Sequence, residues 1–563
     1  MNFLDGGLGI ISPGPGGAQA KVGVSLIGNV NTIYPVANGN TISSTLGGGP
    51  LAEAAAAICD VTGTTVYAVP CPIVLAGSVG AWTHTGSGAG VVSATCAPHQ
   101  EILVRVSTAG AIGTAAFQFS VNGAAYGAPV TSVAGTTWAY GVPGTFCTLT
   151  FAAGSYRQGD VYTIPVTGTV SASVPSGGPS TISQVSSPLD GYALEVVIQT
   201  GDATRAATRF TYSLDSAPNT QGVVTGTNVS SPISAAATYV IPGTGIVLAF
   251  TEAVYTTGDI YRASATPPAT DNTAIGAAID VLASSKFSFE CVHPVGAPTN
   301  SANAATLATA VNAKMTTAES NLRYLFGVVE CPQSETDSTI STSFVNFVSL
   351  HGRITTSAGD EYLLSTLSGL NLRRNGAWSL CVRMAGSKLS ESPGKVALGA
   401  LQNVTSIVRN EESTPGLSDA RFVTLRTLRG KSGYYITDGP TMAAVGSDYS
   451  TIMNARVVNR AATLAAEAFT DYLNADVRID TKTGYIDERD ALKIDNAVTT
   501  QLQSALAGTS GSSTYECSSI SAAMSRTDNL LSNPVGNATV KIVPKGYLRS
   551  IVVNIGFVNP ALG

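Results

Sequence analysis

Charge is scarce in this chain of 563 residues: Asp, Glu, Lys and Arg together make up 12%, about half the usual share. No lysine stands between Lys21 and Lys286. Few charges beside abundant Gly, Ala, Ser and Thr suit a protein whose outer faces are covered by other subunits. A secreted β-rich protein with Ser/Thr-rich surfaces is the competing reading. The net charge of −6 argues against nucleic acid as the main partner, which would favour a basic patch. No apolar run is long enough to cross a bilayer, so no membrane span is expected. The N-terminus lacks a basic region followed by an apolar stretch and a small-residue cleavage site, so no secretory signal is expected.

The residues of common active sites are equally sparse. His84, His99, His293 and His351 are far apart, and none sits in His-Glu-x-x-His or beside a cysteine pair, so no metal is expected. Cys59, Cys71, Cys96, Cys147, Cys291, Cys331, Cys381 and Cys517 are scattered without Cys-x-x-Cys spacing. They read as reduced core residues made in a cytoplasm, which weakens the secreted reading. Gly394-Lys395 imitates a phosphate-binding loop. Leu389 stands where its first glycine belongs and Val396 where its Ser or Thr belongs, so the motif fails. No enzyme activity and no cofactor is expected.

What is present is a chain too long for one core. Strand Val22–Gly28, helix Pro50–Ile58 and strand Thr65–Val69 make a β-α-β unit, with Pro50 at a permitted first-turn position. The alternation breaks off near residue 85 and returns near 270. It continues as strand Phe287–Val292, helix Ala302–Leu322, strand Tyr324–Val329, helix Ser338–Leu350 and strand Ser379–Val382. Residues 21–85 with 269–440 therefore read as one α/β (α+β) core domain.

The interruption contains an internal repeat. Ile102–Val106, Phe117–Val121, Tyr140–Gly144, Leu149–Phe151 and Gly159–Tyr162 are answered by Leu194–Ile198, Phe210–Leu214, Tyr239–Gly243, Leu248–Phe250 and Gly258–Tyr261. Alternating strands at this spacing predict two tandem β-sandwiches inserted in the core domain, residues 86–173 and 174–268.

Residues 441–563 read as a further domain. A long helix is predicted over Asp448–Leu473, with Ser447 as N-cap and Val458, Ala461, Ala462, Ala465, Phe469 and Leu473 as its apolar stripe. Arg456, Arg460, Glu467 and Asp471 recur at helical spacing on one face, either a solvated back or a charged docking face. Asp487 caps a second helix whose core positions are Ile494, Val498, Leu502 and Ala505, with Gly508 as its stop.

Both ends of the chain are extended and apolar. Ile551, Val553, Ile555 and Phe557 alternate with Val552, Asn554 and Gly556 in the period of a half-buried strand. Phe3, Leu4, Ile10 and Ile11 lie in an arm, residues 1–20, too rich in Gly and Pro to fold alone. Sticky extended termini suit joining of copies by strand addition.

Tyr434-Tyr-Ile-Thr-Asp-Gly-Pro-Thr-Met-Ala-Ala-Val-Gly-Ser-Asp-Tyr449, followed by Arg456-Val-Val-Asn-Arg-Ala461, resembles the C-terminal part of contractile tail sheath proteins of bacteriophages. Tyr485-Ile-Asp-Glu-Arg-Asp-Ala491 and Ile551-Val-Val-Asn-Ile-Gly-Phe-Val-Asn-Pro560 are similar to the same pattern, and Gly49-Pro-Leu-Ala-Glu-Ala54 to its N-terminal part. The resemblance covers roughly 21–70 and 280–563, and leaves out the two sandwiches. It implies a virion tail component, assembled in the bacterial host cytoplasm, that stacks with itself as hexameric rings in a helical cylinder. Its other implied partners are a tail tube protein and the baseplate and tail terminator proteins. It further implies that Phe3, Leu4, Ile10, Ile11, Ile551, Val553, Ile555 and Phe557 anchor strands exchanged between subunits. Arg456, Arg460, Glu467 and Asp471 would face the tube. A surface adhesin or spike, with glycan-binding sandwiches on an α/β anchor, is the alternative. The missing secretion signal and the resumed α/β alternation disfavour it.

Overall fold

The computed structural model describes residues 17–549 apart from 75–77, 80–82, 86–91, 97–99, 122–124, 136, 143–146, 167–181, 184–187, 204–206, 216–230, 233–237, 242–243, 251–252 and 508–514. The chain is a mixed α/β protein with several small antiparallel sheets. It divides into two compact units, Met1–Ser387 with Pro393–Ile452, and Lys388–Ser392 with Met453–Gly563.

The first unit is built on a six-stranded sheet in the order Tyr34–Val36, Val66–Pro70, Gln19–Gly23, Cys291–Pro294, Phe326–Glu330, Ile354–Ser357. The strands run parallel except Tyr34–Val36. Parallel strands need helical crossovers, and these cover both faces. Helices Asn272–Ala283 and Ser301–Ser320 share one core with Ala20, Val22, Val292 and Val329. Helices Pro50–Thr62 and Ala377–Ala385 share the other with Val66, Ala68, Cys291 and Val328. Gly327 permits the close approach of the first layer, because a Cβ there would lie 2.5 Å from Val311 Cγ1.

Four elements differ from the sequence reading: the strand expected over Val22–Gly28 is Gln19–Gly23, that expected over Phe287–Val292 is Cys291–Pro294, and two more change type or length. Ser379–Val382 is no strand but part of helix Ala377–Ala385, where Trp378, Leu380, Cys381 and Met384 are buried. A four-residue apolar run shows no period of its own. The helix expected to reach Leu350 is Asp337–Ser343 and stops at Phe344, leaving Val345, Val348 and Leu350 exposed.

The repeat reappears as repeated strand pairing. Ala116–Val121, Gln100–Thr108 and Val161–Val166 lie side by side, as do Arg209–Ser213, Ala193–Thr200 and Ile260–Thr266. Phe117, Leu149, Phe151, Tyr156 and Tyr162 form one small core; Phe210, Leu248, Phe250, Tyr255 and Tyr261 form its counterpart. The copies are interlocked, however. Val92–Cys96, which precedes the first copy, pairs with Ile246–Phe250 of the second, while Ile182–Ser183, which precedes the second, pairs with Cys147–Ala152 of the first. Thr83–Thr85 also joins the second copy, along Ile260–Arg262.

In the second unit the long helix runs Ile452–Thr470, shorter than expected. Ser447 does not cap it: its hydroxyl accepts from Tyr449 N at 3.2 Å, and Ile452 N donates to Gly439 O at 2.8 Å within the first unit. The buried stripe is Val457, Ala461, Leu464, Ala465 and Ala468, while Leu473 is exposed. Helix Glu488–Leu502 begins at Asp487, whose carboxylate accepts from Arg489 N. Ile494, Val498 and Leu502 are buried as expected, but a π turn over Gln503–Ala507 inserts a residue, so Leu506 and not Ala505 faces the core. Strands Ser519–Met524 and Ala538–Val543 then pair antiparallel as a two-stranded sheet.

Candidate functional site

In an open parallel sheet, ligands bind beyond the carboxyl ends of the strands where the order reverses. Here that crevice lies between Gln19–Gly23 and Cys291–Pro294, and Lys21 stands in register with His293. Lys21 Nζ donates to His293 Nδ1 at 2.7 Å, and His293 Nε2 meets Glu330 Oε1 at 2.9 Å. An ammonium has only donors, so the imidazole is the neutral Nε2–H form. Trp378 Nε1 donates to the same carboxylate oxygen at 3.0 Å. Lys21, His293 and Glu330 are all buried. The network pins three strands to helix Ala377–Ala385 and has the character of a structural lock. Among the described residues, no three His, Cys, Asp or Glu side chains converge to hold a metal. Cys59, Cys71, Cys291, Cys331, Cys381 and Cys517 are free and buried.

A second lock joins the β-rich insertion to the parallel-sheet framework. Arg374 Nη1 and Nη2 donate to the two oxygens of Asp190 at 2.8 and 2.7 Å, with both side chains buried. The guanidinium lies 4.6 Å over the Trp378 ring. Glu53 sits beside it, its carboxyl pushed up by burial against the pull of Arg374. Leu370 and Leu372 complete the core of the second repeat copy, and Asn371 N donates to Asp215 Oδ2 at 3.1 Å. Gly394 of the failed phosphate motif packs on backbone: a Cβ there would lie 2.8 Å from Thr437 O.

The polar stripe of the long helix is not one uniform face. Arg456 is buried, with Nη1 donating to Lys388 O at 3.3 Å. Arg460 is half-buried, which lowers its pKa. Glu467 is exposed, and Asp471 is exposed one residue beyond the helix end. The apolar stripe comes within one residue of Arg456, so the first member of the series turns inward. Phe3, Leu4, Ile10, Ile11, Ile551, Val553, Ile555 and Phe557, expected from the sequence to exchange strands, lie outside the described residues.

The surface where such a strand would dock is described. Ile520 and Ala522 of Ser519–Met524 are buried, and Val540 and Ile542 of Ala538–Val543 pack half-buried on the same core. The far side of Ser519–Met524 is bonded to helix Glu488–Leu502: Thr499 Oγ1 accepts from Ala522 N at 2.9 Å, and Asp495 Oδ1 accepts from Met524 N at 2.7 Å. Among the described residues Ala538–Val543 pairs only with Ser519–Met524, and no described strand lies along its outer edge. Sequence reasoning missed Asp495, Thr499 and Gln503. Their signal was the spacing of four, each one residue after Ile494, Val498 and Leu502.

No curated protein matches this chain. Among solved structures it is similar to the sheath tail protein of Desulfitobacterium hafniense, with 10% identity, TM-score 0.39, and 94% of this chain and 96% of that one covered. It is likewise similar to the sheath tail protein of Listeria innocua, with 12% identity, TM-score 0.38 and coverage of 94% and 95%. A contracted PVC sheath complex from an extracellular contractile injection system gives 9% identity, TM-score 0.36 and coverage of 51% and 75%. Residues 1–440 match the family described as DUF2586, N-terminal domain, and the chain is a member of that family.

Proposed function

We propose that the protein is the structural subunit of a contractile sheath, stacking as hexameric rings around an inner tube and contracting to drive that tube through a host envelope. The observation that carries the reading is that Ala538–Val543 has no strand along its outer edge among the described residues, in a chain whose Ile551–Phe557 segment has the alternation of a strand with one apolar face. Ile551 to Phe557 spans six steps, about 20 Å, against about 17 Å for the five steps of Ala538–Val543. The residues resembling phage sheaths between Tyr434 and Ala461 support the same assignment and point to a phage tail.

In this reading each copy lends Phe3, Leu4, Ile10 and Ile11 from one end and Ile551, Val553, Ile555 and Phe557 from the other. Arg460, Glu467 and Asp471 face the tube, whereas Arg456 braces the subunit from within. The repeat copies are β-sandwiches on the outer wall. Contraction requires no nucleotide: about 100 Å² more buried apolar surface per subunit would favour the contracted state by about 2.5 kcal/mol.

Negative-stain microscopy of the purified chain tests the assignment. Striated hollow cylinders are expected, and the chain lacking 546–563 should stay as soluble subunits. Single particles from the full chain at every concentration, or normal cylinders from the truncation, would overturn it.

A further inference from the structure

We propose that Asp495, Thr499, Gln503 and Arg526 act as a built-in blocking strand, so that this two-stranded sheet accepts an extended segment of a second copy only along Ala538–Val543. The inference rests on the strand-lending reading above and adds to it which edge is barred and by which side chains.

Alternate residues of an antiparallel pair turn their N–H and C=O groups toward the partner, and those between turn them away. Ser525 N donates to Asn537 O at 2.7 Å, which sets the phase. Ser519, Ser521 and Ala523 thus face Ala538–Val543, while Ile520, Ala522 and Met524 face outward. The outward groups are taken up by side chains. Gln503 Nε2 donates to Ile520 O at 3.1 Å. Thr499 Oγ1 accepts from Ala522 N at 2.9 Å and donates to Ala522 O at 3.3 Å. Asp495 Oδ1 accepts from Met524 N at 2.7 Å, and Arg526 Nη1 donates to Met524 O at 2.8 Å.

The match is metrical. Four residues of helix rise about 6 Å, and two residues of strand about 6.8 Å, so side chains every four positions meet strand groups every two. Asp495, Thr499 and Gln503 therefore run antiparallel to Ser519–Met524 as a row of acceptors and donors. Arg526 steadies the row, with Nη2 on Asp495 Oδ2 at 2.8 Å and Nε on Glu488 Oε2 at 2.7 Å.

Across the sheet the opposite holds. The same phase turns Ala538, Val540 and Ile542 outward, and no described side chain caps their backbone groups. A bare edge of this kind pairs with any strand it meets. With one edge barred, a polymerising subunit has a single acceptor there and cannot add a strand on the side of the helix. The half-buried Val540 and Ile542 fix which face of the incoming strand is apolar.

Residue-resolved hydrogen exchange on the full chain, before and after assembly, tests the proposal. In the free subunit Ala522 and Met524 amides should exchange slowly, and those of Val540 and Ile542 quickly. Assembly should slow the latter pair by about tenfold or more. Thr499→Val with Gln503→Leu should free the Ala522 amide and give laterally joined, irregular aggregates, whereas Thr499→Ser should assemble normally. Thr499→Val alone, a change of one hydroxyl to a methyl, carries the same test if the double variant does not fold. Regular cylinders at wild-type yield from a variant whose Ala522 amide exchanges freely would overturn the blocking role and leave strand lending intact. Absence of new protection at Val540 and Ile542 on assembly would overturn strand lending itself.

Discussion

Asp190→Asn removes one charge from the buried Arg374–Asp190 pair with little change of shape. Both side chains are under a tenth exposed, and two bonds of 2.8 and 2.7 Å join them. Taking away one partner of such a pair costs about 3–5 kcal/mol, because the other charge stays buried. Glu53 offsets part of this. Asp190 is among the causes holding its carboxyl above the ordinary range, so losing that charge lets Glu53 ionise toward the guanidinium. The net loss therefore lies somewhat below this range of about 3–5 kcal/mol. Urea unfolding followed by tryptophan fluorescence reads it, since the guanidinium lies over Trp378. Replacing both partners, Asp190→Leu with Arg374→Met, should recover most of the loss. A single variant within about 0.5 kcal/mol of wild type, or a double variant as unstable as the single, would refute the reasoning. The same lock bears on excising the insertion: deletion of 86–268 removes Asp190, so Leu370, Leu372 and Arg374 must be replaced by polar residues for the remainder to fold.

Three other outcomes follow from the first unit. Burial pushes the Glu361 carboxyl up to about 8, against the bond from Ser379. Its folded pKa exceeds the unfolded one, so its contribution is full below about 4.5 and falls as pH rises toward about 8, by at most about 1.4 kcal/mol per unit. Glu361→Gln should flatten that slope in urea titrations across this range. Gly327→Ala places a methyl 2.5 Å from Val311 Cγ1, and should cost about 1–3 kcal/mol, relieved by Val311→Ala. Lys21→Met removes the donor to His293 Nδ1 and leaves that nitrogen buried without a partner, and should lower the urea midpoint by an amount equal to about 1–3 kcal/mol.

Much of this architecture was readable where a local rule acts over many residues. Gly49-Pro50 opens a helix, Asp487 caps another, and the Phe, Leu and Tyr landmarks of the repeat return as two matching cores. The misses come from long-range choices. Ser379–Val382 is too short to show a period. Val92–Cys96 and Ile182–Ser183 change partners between copies, which no local pattern encodes. Lys21, Asp190, Arg374 and Arg456 are buried because distant elements supply partners for their charges. Of the docking region, the alternation of Ile551–Phe557 was visible, but the row Asp495, Thr499, Gln503 acquires meaning only beside Ser519–Met524.

The central claim is that each copy lends its terminal strand to another copy. It is tested most directly by assembling a mixture of isotopically heavy and light chains that carry a photo-crosslinking residue at position 555. The account predicts mixed heavy–light cross-links from that position to peptides covering Ala538–Val543. Cross-links confined to heavy–heavy and light–light pairs, each within one chain, would contradict it.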